Sequence, residues 1–147
     1  MSTQKNSTTT VSEKTYPNIF RFVDYKVYQD SKNWYQEVVS LKGVLETNTD
    51  LWFQLKSHIT SMVMNIAAAS TKLPSEAQRY LGSSITAANK AVACLDIACD
   101  FGVITTDEFD TLSDGFKGII IQLKAFIKGI GIRSAKAAES KAEQVTA

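Results

Sequence analysis

The stretch FDTLSDGFKGIIIQLKAFIKGI, Phe109 to Ile130, decides the fold class. Phe109, Leu112, Phe116, Ile119, Ile120, Leu123, Phe126, Ile127 and Ile130 recur at helical spacing and form one stripe. A stripe of that width on a helix is stable only when buried against other helices. Immediately upstream, Thr105-Thr106-Asp107-Glu108 reads as a capping box, with Thr105 at the N-cap and Glu108 three residues on. The spacing predicts a helix over about 106–130, with Gly131 as its stop.

Working outward, three more segments carry the same period. A first helix is expected over about 23–42, with Val27, Tyr28, Ser31, Trp34, Tyr35, Val38 and Leu41 inward. Gly43 and the Glu46-Thr47-Asn48-Thr49 cluster break it. A second is expected over about 50–69, capped by Asn48 or Thr49, with Trp52, Leu55, Ile59, Met62, Val63 and Ile66 inward. A third is expected over about 75–101, opened by Pro74 in its first turn and closed by Gly102. Its stripe is Ala77, Tyr80, Leu81, Ser84, Ala88, Ala91, Leu95 and Ala98. These residues are mostly small and permit close approach by neighbouring helices. No strand-like alternation competes. The expectation is an all-α, up-down-up-down antiparallel four-helix bundle over residues 18–131. A polar, Ser/Thr-rich lead (1–17), disordered by composition, precedes it, and a basic Ala/Lys/Glu-rich tail (132–147) follows, read as frayed helix or disorder.

The 147 residues suit one domain, and a hydrophobic share of 44% with 21% charged residues is that of a soluble globular chain. The lead has no apolar core of a signal peptide, and no run of about 18 apolar residues spans a membrane. A cytoplasmic protein without a membrane partner is expected. Cys94 and Cys99, five apart on one helix, face different ways and fit a reducing compartment.

The net charge of +1 conceals an asymmetry. Residues 1–114 hold 10 Lys and Arg against 13 Asp and Glu, whereas residues 115–147 hold 6 against 2. A basic end serves nucleic acid, a membrane surface or an acidic partner. The plainer account is that these cations favour the negative C-terminal end of a helix dipole. Lys117, Lys124 and Lys128 share one face, opposite the apolar stripe, and with Arg133 form the candidate phosphate-facing surface. Ile121 interrupts that face. With Phe53 and Ile85 it is the candidate subunit contact.

Chemistry of other kinds finds little support. His58 is the sole histidine, which excludes a di-iron bundle built on paired Glu-x-x-His motifs. Asp96 and Asp100 share a face four residues apart but have no further ligand, so a solvated face is expected and no metal. No glycine-rich phosphate loop is present, and Gly115 and Gly118 are read as places where helices approach closely. No catalytic residue and no cofactor are expected.

The segment Phe22-Val-Asp-Tyr-Lys-Val-Tyr-Gln29 resembles the opening helix of the small bacterial family of 23S rRNA intervening-sequence proteins, typically Phe-x-Asp-Leu-x-Val-Trp-Gln. Leu51-x-x-Gln54-Leu55-Lys56 and Ser61 to Asn65-Ile66-Ala67 are similar to its second helix. Glu76-x-x-Arg79-Tyr80-Leu81 is similar to the start of its third, and Gly102 falls after it. The resemblance implies a non-enzymatic four-helix bundle assembled into a ring, commonly a homopentamer. A related branch consists of accessory proteins of diversity-generating retroelements, which implies RNA or DNA and a reverse transcriptase, or another protein, as partners. Where the family has two arginines after Gln-Leu, this chain has Lys56 and Ser57. Its usual acid after Asn-Ile-Ala is Ala68, and two typical glutamates correspond to Lys90 and Val92. Lys56 and Arg79 are the basic positions that match. The alternative reading is a protein-binding scaffold ring with little affinity for nucleic acid.

Overall fold

The side chain of Asn48 accepts a hydrogen bond from the Leu51 backbone N–H at 3.1 Å, and a long helix starts at the next residue. The structure, a computed structural model, describes residues 18–41 and 48–146. A 3-10 turn, Asn18–Asp24, leads into α1 (Lys26–Val39). Then follow α2 (Thr49–Ala69), α3 (Pro74–Asp100) and α4 (Thr106–Thr146). The described residues are all-α, with no strand among them. The disordered lead expected over 1–17 and the break expected at Gly43, Glu46 and Thr47 lie outside the described residues.

The helix ends follow local chemistry. At the start of α4 the Thr105 hydroxyl accepts from the Glu108 N–H at 3.0 Å, and the Glu108 carboxylate accepts from the Thr105 N–H at 2.8 Å. Two orphan donors of the helix start are thereby satisfied reciprocally. At the end of α3, Gly102 adopts φ 74°. The Val103 N–H reaches back to the Ala98 carbonyl at 2.9 Å and the Gly102 N–H to Cys99 at 3.0 Å. This double bond pattern with a left-handed glycine closes the helix.

The boundaries of two helices differ from the sequence expectation, and α1 also ends at Val39 rather than near 42. α1 begins at Lys26 rather than near Val23, because Phe20 leaves helical geometry (φ −102°, ψ 52°) and Tyr25 is extended. Aromatic packing takes up this turn. Phe22 stacks edge-on to Tyr28 with centroids 4.9 Å apart, and Tyr25 stacks edge-on to Phe126 at 5.2 Å. The Gln29 amide donates to the Val23 carbonyl at 2.9 Å, replacing a helical bond. The second difference is larger. α4 does not stop at Gly131 but continues to Thr146.

The buried stripes interlock into one core. Trp52, Leu55, Ile59, Met62, Val63 and Ile66 are all buried, as are Leu112, Phe116, Ile119 and Leu123. On α1 only Val27, Ser31 and Val38 are buried, with Tyr28, Trp34 and Tyr35, and Leu41 just beyond the helix, half-buried against the core. α2 and α3 make the most extensive contact, α3 and α4 the next, and α1 touches both α2 and α4. Small residues explain the α2–α3 contact. Ser84, Ala87, Ala88 and Ala91 are buried, and the Ser84 hydroxyl donates to the Met62 carbonyl at 2.6 Å. Contacts between α1 and α4 run in opposite directions along the chain. Tyr25 meets Phe126, Asp30 accepts from the Gln122 amide at 2.9 Å, and Trp34 stacks edge-on to Phe116 at 6.0 Å. Gly115 makes the last contact possible, since a Cβ there would overlap the Trp34 indole, whereas Gly118 faces open space.

Candidate nucleic-acid interface

The continuity of α4 changes the meaning of its cations. A helix dipole acts on charges within the last turn. With the helix running to Thr146, Lys117, Lys124, Lys128 and Arg133 lie well before that turn, and the last turn holds no basic residue. The dipole account of the basic end is thereby removed. Gln78 explains why Gly131 is no stop. Its amide donates to the Ile127 carbonyl at 3.0 Å, and a Cβ on Gly131 would lie 3.1 Å from the Gln78 Nε2. Gly131 therefore makes room for a neighbour, without the left-handed geometry that ends a helix.

Lys117, Lys124 and Lys128 are exposed on α4. At about 100° per residue, positions seven and eleven apart fall within about 40° of each other, so the three ammonium groups share one face. Asp110 and Asp114 occupy the preceding turns of that side, yet no ion pair joins them to the lysines. Arg133 does not belong to this face. It lies about 160° round from the lysines and lines a cleft with Arg21 and Lys72. Those two cations come from the 3-10 turn and from the α2–α3 connection, where no periodicity marks them. Only the folded arrangement joins them to Arg133.

The other expected basic positions are separate. Lys56 is half-buried on α2, its ammonium 5.2 Å from the centroid of the Trp52 ring. It borders a hollow of about 620 Å³ between α1 and α2, with Lys32, Tyr35 and Val39. The Tyr35 hydroxyl is hydrogen-bonded to the Thr60 hydroxyl at 2.9 Å beside it. Arg79 is exposed on α3 and 4.0 Å from Glu76. The hollow that Lys56 borders has none of the α4 lysines in its lining.

Of the expected contact residues, Phe53 is 69% exposed and Ile121 58% exposed. Ile85 differs, being half-buried against the core rather than outward. Met64, 63% exposed, joins Phe53 on the outer face of α2. The eleven-residue spacing of these two was a readable signal that the sequence reading passed over.

A solved structure shares this fold. It is a protein of unknown function from the S23 ribosomal protein family of Bacteroides thetaiotaomicron VPI-5482, similar with a TM-score of 0.63 and 20% identity. The match covers 69% of this chain and 98% of that one, so nearly the whole neighbour lies on about two thirds of the present chain. No family model and no curated protein matches the sequence.

Burial lowers the pKa of His58, aided by the charge of Lys90. Burial pushes the Cys94 thiol up, and Cys94 and Cys99 are both free. Asp96 and Asp100 are exposed, and among the described residues no three His, Cys, Asp or Glu side chains gather as a metal site. No helix among the described residues is long and apolar enough to cross a membrane.

Proposed function

We propose that this chain is a cytoplasmic, non-enzymatic nucleic-acid-binding or nucleoprotein-binding accessory factor of the 23S rRNA intervening-sequence type. In this reading its four helices form an up-down-up-down bundle that assembles into a ring, most simply a homopentamer. The observation that carries the reading is the face of Lys117, Lys124 and Lys128 in the middle of α4. These cations are exposed, unpaired among the described residues and too far from a helix end to serve its dipole. Such a face suits the phosphate backbone of RNA or DNA without base readout. The motif order from Phe22 to Leu81 and the fold likeness to the S23-family protein support the family assignment. A reverse transcriptase is the protein partner that the retroelement branch of the family suggests.

The ring is supported by two apolar patches on different helices. Phe53 and Met64 are on α2, and Ile121 is on α4. A head-to-tail contact joins two different patches of one surface, and closes into a ring when its rotation divides the circle. Repetition would set several lysine faces on one strand and raise avidity without new contacts.

The second reading, a protein-binding scaffold, draws on Ile121 amid the lysines and on Asp110 and Asp114 at the start of the same side. Light scattering at micromolar concentration followed by titration of a labelled single strand at low salt separates these outcomes. A ring that binds the strand is expected. A ring without strand affinity selects the scaffold, and a monomer rejects the assembly.

A further inference from the structure

A cleft of about 330 Å³ opens where the 3-10 turn, the α2–α3 connection and the departing part of α4 meet. Arg21, Lys72 and Arg133 line it from three separate segments, and among the described residues no carboxylate does. None of the three has a carboxylate partner among the described residues. The Lys72 ammonium sits 5.3 Å from the centroid of the Tyr80 ring, a contact that leaves its charge uncompensated. Three like charges around one hollow repel each other, and an anion placed among them relieves that repulsion. Two of the three are guanidinium groups, whose planar forks match phosphate oxygens in pairs.

The remaining lining narrows the ligand. Tyr25 and Phe126, packed edge to face at 5.2 Å, supply an aromatic wall, and Ser134 a hydroxyl. The volume is at the small end of ligand sites, and an apolar wall with a few polar groups is their usual make-up. Simple inorganic anions use only the cations. A phosphate carried on a flat aromatic body uses both sides.

We propose that this cleft binds a nucleoside monophosphate unit, its terminal phosphate held by Arg21, Lys72 and Arg133 and its base against Tyr25 and Phe126. The unit is either a free nucleotide or the 5′ end of a strand. The site is separate from the lysine face of α4 and requires neither the ring nor strand binding by that face.

Calorimetric titration of the full chain with AMP and with adenosine tests this. AMP is expected to bind at least about tenfold more tightly than adenosine, a difference of about 1.4 kcal/mol. Arg133→Gln and Lys72→Gln should each weaken AMP about tenfold with unchanged circular dichroism, the size of one charged hydrogen bond. A triple Lys117→Gln, Lys124→Gln, Lys128→Gln variant should bind AMP as the parent does. In that triple variant, a 5′-phosphorylated oligonucleotide binding more tightly than its 5′-hydroxyl form assigns the strand end. Equal binding of the two, with AMP still bound, assigns the free nucleotide. AMP binding no tighter than adenosine, or AMP affinity unmoved by both cleft substitutions, overturns the proposal.

Discussion

The Gln78 side chain of α3 donates to the Ile127 carbonyl of α4 at 3.0 Å, directly beside Gly131. One cross-helix bond thus sits where a helix end was expected, and the helix passes through it. In a helix interior, alanine is favoured over glycine by about 1 kcal/mol. At Gly131 a methyl group would crowd Gln78, so Gly131→Ala should leave stability nearly unchanged. In a Gln78→Ala background the same change should stabilise by about 1 kcal/mol. A double-mutant cycle read by denaturant unfolding measures this coupling.

Two neighbouring glycines of α4 should respond in opposite directions. Gly118 faces open space, and Gly118→Ala should stabilise by about 0.5–1 kcal/mol. At Gly115 a Cβ would overlap the Trp34 indole, so Gly115→Ala should destabilise by about 1–3 kcal/mol as Trp34 and Phe116 move apart. Thermal unfolding of the two variants under one buffer reads the sign of each.

That contrast also marks what was legible in the sequence. The apolar stripes, the Thr105–Glu108 box, the Asn48 cap and the Gly102 stop are local signals, and local hydrogen bonds realise them. Gly131 has the same composition signal as Gly102 but the opposite role, because its role is decided by Gln78, 53 residues earlier in the chain. The start of α1 departs from its helical period for a similar reason, since Phe22 and Tyr25 answer to aromatic partners. The lysine face was readable from spacing alone. The Arg21–Lys72–Arg133 cleft was not, because two of its members lie in turns where spacing carries no meaning.

His58 gives the chain a pH dependence near neutrality. Burial, with a smaller push from Lys90, holds its folded pKa below the ordinary histidine value of about 6.5. The unfolded chain therefore binds more protons in the window just below that value, and stability rises with pH through it. Lowering the pH from above about 6.5 should weaken the fold until His58 is charged in both states. His58→Gln should abolish this slope while preserving the helical circular dichroism. Denaturant midpoints measured across the window check the sign, and a parent chain that gains stability on acidification there contradicts it.

The lysine face of α4 is the feature on which the proposed strand binding depends. The decisive measurement is the salt dependence of single-strand binding by the parent and by the Lys117→Gln, Lys124→Gln, Lys128→Gln variant, each with its oligomeric mass recorded. Single-strand affinity falls on a log–log plot with a slope of about −0.7 per phosphate neutralised. The predicted result is steep, sequence-independent salt dependence for the parent, and a slope shallower by about 2 for each subunit engaged in the variant, at unchanged mass and helicity. Identical slopes for the two proteins, or no binding by the intact oligomer at low salt, would contradict a phosphate-binding role for this face.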